Sequence, residues 1–62
     1  MTVKELHAIQ EQIEVERLLA SKYKMYSYMC SDPQIKAKCE EYSGKHEEHE
    51  NILLQNFNTE EQ

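Results

Sequence analysis

Apolar positions recur along this chain in alternating steps of three and four, the period of one helix face, and not in the steps of two that a half-buried strand requires. Leu6, Ile9, Ile13, Glu16, Ala20, Tyr23, Ser27 and Cys30 draw a first seam, and Ile35, Cys39, Tyr42, His46, His49, Leu53 and Phe57 draw a second. Both seams are apolar at their ends and polar in the middle. The break between them is Ser31-Asp32-Pro33, where Ser31 or Asp32 can cap a helix and Pro33 fits a first turn that needs no amide donor. The pattern predicts helix 1 over about 3–30 and helix 2 over about 33–57. Thr2 and Glu5 form a capping box at the start, and the polar run 58–62 is expected to fray.

So short a connection makes the two helices antiparallel, and at about 1.5 Å of rise per residue, positions equally far from the turn stand level. Glu16 is thereby expected opposite the turn of helix 2 that carries His46 and His49. Two helices cover only one face of each other, and a chain below roughly 70 residues rarely stabilises a core alone. The expected architecture is therefore all-α: an antiparallel hairpin that dimerises into a four-helix bundle, a closed two-fold assembly. A second stripe, Val15, Leu18, Met25 and Met29 interrupted by Lys22, lies beside the first seam. It reads either as bundle flank or as a contact for assembly beyond the dimer. Gly44, inside helix 2, costs about 1 kcal/mol relative to Ala. Close approach of another backbone, room beside the polar layer and a neutral site all fit it.

Composition narrows the function. One Gly and one Pro in 62 residues favour long helices over a turn-rich β fold. Seven scattered cations against twelve carboxylates give a net charge of −5, which argues against nucleic acid as a partner. The sequence holds neither a membrane-length apolar run nor a basic leader followed by an apolar stretch, so a cytoplasmic location is expected and a membrane partner is not. Cys30 and Cys39 are too few for a disulfide framework and read as small buried hydrophobes.

The candidate chemistry lies in the polar centre of the seams. Burying a carboxylate or an imidazole without partners costs several kcal/mol, so Glu16, His46 and His49 need compensation. Histidines three apart share a helix face, and Glu16 approaches them from the facing helix. One carboxylate and two imidazoles form a metal-ligand set, and two-fold symmetry would double it, enough for one or two ions of the Fe, Mn or Zn kind. The competing reading is a hydrogen-bonded Glu-His-His layer that fixes register without metal. Tyr23, two turns after Glu16, and Glu50, beside His49, are candidates for the outer shell. Glu47 and Glu48 read as solvated charges, and His7 lies outside the seam. The run His46-Glu47-Glu48-His49 is not the zinc-protease signature, whose histidines stand four apart, and no phosphate-binding loop or nucleophile elbow occurs. No catalytic set is defined by these residues.

Glu16, Tyr23 seven residues on, and a pair three apart ending in His49 on the antiparallel helix resemble half of a ferritin-like or rubrerythrin-like bundle, over roughly 14–54. In that superfamily a Glu on one helix and Glu-x-x-His on the next are duplicated around a di-iron centre. The resemblance implies Glu16 as first carboxylate ligand, Tyr23 as the tyrosine near the site and His49 as the histidine ligand. His46 departs from the pattern: it stands in place of a bridging carboxylate, which an imidazole cannot replace, so a mononuclear or loosely coupled site is the expectation. Half the usual length implies that dimerisation completes the site. The general texture of the hairpin also resembles short spore coat F-type proteins. Two functions are thus expected to compete: a homodimeric metal-binding bundle handling iron and oxygen or peroxide, and a structural or interaction bundle, such as a spore coat component, whose polar layer sets pairing. A small regulator that binds another protein through the acidic outer face is a third.

Overall fold

A computed structural model describes residues 1–61, with side chains to Thr59. Its two elements are α1 (Val3–Met29) and α2 (Pro33–Glu61), joined by a three-residue turn into an antiparallel hairpin. No strand occurs among the described residues.

Local signals account for the helix ends. Thr2 accepts from the amide of Glu5, and the Glu5 carboxylate accepts from the Thr2 amide, both at 3.1 Å, closing the capping box. Cys30 leaves the helix with extended backbone, ψ 132°, while its amide still reaches the Tyr26 carbonyl at 2.9 Å. Asp32, not Ser31, caps α2: Oδ1 accepts from the Gln34 and Ile35 amides at 2.9 and 3.3 Å, with Pro33 in the first turn. At the far end α2 runs on to Glu61, four residues past the expected boundary at Phe57, and Gln62 lies outside the described residues. No Gly or Pro interrupts that stretch, and the Thr59 hydroxyl donates to the Gln55 carbonyl at 2.8 Å within the helix.

The seam of α1 is inward along its whole length, with Ile13, Glu16, Ala20 and Ser27 buried and Leu6, Ile9, Tyr23 and Cys30 half-buried. The face of α2 is turned from its expected phase. Cys39, His46, Leu53 and Phe57 do face α1, but Ser43 and Glu50 are inward too, whereas Ile35, Tyr42 and His49 are exposed on one flank. Ser43 is drawn in because its hydroxyl donates to the Ala20 carbonyl across the interface at 2.8 Å. Glu50 is drawn in because Arg17 Nε donates to its carboxylate at 2.7 Å. Both cysteines are free, Cys39 buried and Cys30 half-buried. Val15, Leu18, Met25 and Met29 are all exposed, and a Cβ added at Gly44 would meet nothing within 4 Å in this hairpin.

The hairpin is a thin rod of 45 × 15 × 11 Å in which, among the described residues, the buried apolar ones are only Ile13, Ala20 and Cys39. Its radius of gyration is 14.2 Å, against about 10.6 Å for a compact globule of this length.

Candidate metal centre

Helical spacing brings the cluster together. His46 and His49 are three apart on α2, and the antiparallel level set by the turn places Glu16 of α1 between them. Glu16 Oε2 lies 2.6 Å from His46 Nδ1 and 3.4 Å from His49 Nδ1. One ligand atom from each of the three residues lies within 4.8 Å of the others, so the group could hold a metal ion.

The two histidines are held differently. The side chain of His46 is 23% exposed, and its ring stacks on Tyr23 with planes 4° apart and centroids at 5.8 Å. His49 is 54% exposed on the outer flank, edge-on to His46. Glu16, with a side chain only 11% exposed, also accepts from Gln12 Nε2 at 3.2 Å. The hydrogen bond from His46 holds the Glu16 carboxyl below its ordinary value; burial opposes this, while Gln12 and the two imidazoles add to the lowering. An ionised Glu16 is acceptor-only, so Nδ1 of His46 carries the proton in that bond and Nε2 is its bare nitrogen when the ring is neutral.

Donor spacing tests the fit. An ion bonded at about 2.1 Å separates tetrahedral neighbours by about 3.4 Å and octahedral neighbours by about 3.0 Å. Glu16 and His49 already stand at 3.4 Å. Glu16 and His46, at 2.6 Å, form a hydrogen bond that must lengthen to admit an ion.

The outer residues fall out unevenly. Tyr23 meets the cluster through its ring, which also packs edge-on against Tyr42 and Tyr26 at 5.4 and 6.2 Å. The Glu50 carboxylate is directed to Arg17. Glu47 and Glu48 are exposed, as is His7. Gln12, which sequence reasoning missed, stands one turn before Glu16 on α1; the four-residue interval between an amide and a carboxylate was the available signal.

Fold and site together define an all-helical hairpin with a two-histidine, one-carboxylate cluster at its middle. No family model matches the chain, and no curated protein or solved structure does. No helix among the described residues is long and apolar enough to cross a membrane.

Proposed function

We propose that this chain binds a divalent transition ion through Glu16, His46 and His49. The observation that carries the reading is the convergence, from two helices, of three ligand-type atoms within 4.8 Å of one another. Two imidazoles and one carboxylate suit Fe, Mn or Zn and leave coordination positions for water or a small oxidant. The ferritin-like resemblance supports iron with oxygen or peroxide as the chemistry and Tyr23, whose ring stacks on His46, as the tyrosine near the site. The test starts from protein stripped with a chelator. Adding Fe²⁺ without oxygen, Mn²⁺ or Zn²⁺ to about 100 times the dissociation constant stabilises the fold by about 2.7 kcal/mol, which raises Tm by roughly 10–20 °C in so small a domain. An unchanged Tm with all three, together with sub-stoichiometric metal in protein purified without chelator, refutes the proposal.

A second reading has its own observation. No buried side-chain nitrogen or oxygen among the described residues lacks a hydrogen-bond partner, so the layer is satisfied without an ion. In that reading Glu16 and His46 align the two helices, and the protein is a structural bundle of the coat type. Loss of pairing register on replacing both by Leu, with no response to metal in the parent protein, favours it over the first.

A further inference from the structure

The two long sides of the hairpin differ in chemistry. One carries the Arg17–Glu50 ion pair, and its grooves are lined by Lys24, Glu40, Glu47 and the two serines Ser27 and Ser43. On the other side Tyr23, Ile35, Ala37, Cys39 and Tyr42 line an apolar groove of about 590 Å³ near the turn. By helical spacing Val15, Leu19 and Tyr26 extend this apolar surface along α1, while Ile35, Tyr42 and His49, seven apart, form one row along α2. His49, the exposed member of the candidate metal cluster, opens on this side.

We propose that a second copy of this chain docks on the side bearing Tyr23, Tyr42 and His49, with the two Glu-His layers level with each other. The area fits a second copy. A folded chain of 7.4 kDa should expose about 4,200 Å². The hairpin exposes 4890 Å², an excess of roughly 700 Å², near the roughly 800 Å² that each partner contributes to a stable interface.

Position along the rod supplies the rest of the argument. Glu16 is the middle residue of α1, thirteen from Val3 and thirteen from Met29, and the middle of α2 falls between His46 and His49. A two-fold axis parallel to the helices keeps every residue at its height. A perpendicular axis through mid-length inverts the rod about this same layer. Either closed arrangement overlaps the rods fully and sets polar layer against polar layer; the parallel axis also sets the apolar groove of one copy level with that of the other. An unrelated helix would have to supply its own polar groups at that one height, or leave Glu16 and His49 buried against an apolar surface. The second copy's His49, the exposed member of its cluster, would then face the open side of the site.

The experiment uses the unaltered protein in chelating buffer, so that it reads docking whether or not the ion-binding proposal stands. Sedimentation equilibrium gives the mass, and hydroxyl-radical footprinting with mass spectrometry compares tyrosines. In the lone hairpin Tyr42 and Tyr26 are 43% and 39% exposed, and Tyr28, away from the apolar side, is 73% exposed. The expected result is a mass of two copies or a multiple of two, with Tyr26 and Tyr42 modified at least about tenfold more slowly than Tyr28, as for the fully buried core of an interface. A single-copy mass overturns the proposal. So does an assembly in which Tyr42 reacts within about twofold of Tyr28, the ratio set by the hairpin's own exposures.

Discussion

Replacing His46 by Leu removes the 2.6 Å side-chain hydrogen bond to Glu16 that joins the two helices at mid-length. What remains is a carboxylate with 11% of its side chain exposed, the hydrogen bond from Gln12 Nε2 at 3.2 Å and the more exposed His49 Nδ1 at 3.4 Å. Breaking a fully buried pair from one side costs 3–5 kcal/mol; the partial exposure of His46 and the surviving Gln12 bond place this variant at about 3 kcal/mol. Glu16→Leu alone leaves a neutral imidazole whose N–H has lost its acceptor, for about 1–2 kcal/mol. With both replaced, an apolar seam runs through the middle and no charge stays behind, so the double variant should lie within about 1 kcal/mol of the parent. The coupling is then at least about 3 kcal/mol, the signature of groups in one network. Urea unfolding followed by far-UV circular dichroism measures all four proteins, at one protein concentration and with chelator present, because self-association and bound metal both move the midpoint. A double variant that costs the sum of the two singles refutes the claim that Glu16 and His46 act as a pair.

Other outcomes follow from the same geometry. His49→Ala should weaken Zn²⁺ binding in calorimetry by at least about a hundredfold, since it removes one of three donors. Gly44→Ala is expected to stabilise by about 1 kcal/mol, or about 4–8 °C in Tm, as a Cβ there meets nothing; a lower Tm would show another backbone packed against this position. Because its folded-state pKa is depressed, Glu16 contributes stability that is present above the ordinary carboxylate value and is lost as pH falls through the lower, folded value. The difference in urea midpoint between parent and Glu16→Gln should therefore shrink below about pH 4, and a difference constant with pH contradicts the assigned cause.

The seam of the first helix was legible because its two inward rows, Leu6-Ile13-Ala20-Ser27 and Ile9-Glu16-Tyr23-Cys30, are mostly apolar at helical spacing, while half-buried Leu19 lies outside them. The level of the cluster was legible as well, since a three-residue turn leaves little freedom in register. The phase of the second helix was not. Residues 39–50 contain few aliphatic side chains, so the reading followed Tyr42 and His49, the residues that look like core by type. Ser43 and Glu50 look like surface by type and are inward through partners on α1, the Ala20 carbonyl and the Arg17 guanidinium. Such a partner is fixed by the fold and leaves no trace in the local pattern.

That shift in phase bears on assembly. Cys39, His46 and Leu53 lie on the line of closest approach to α1, with one row on either side: Ser43-Glu50-Phe57, which α1 covers, and Ile35-Tyr42-His49, which it leaves exposed. A lone hairpin gains nothing from making the uncovered row the more apolar of the two in its first half, because burial of Ile35 and Tyr42 stabilises only where something lies against them. A helix in a four-helix core has two neighbours and needs both rows. Ile35, Tyr42 and His49, which the expected phase of α2 had turned toward α1, are thus the residues that a second neighbour would cover, and His49 stands in that row at the height of Glu16.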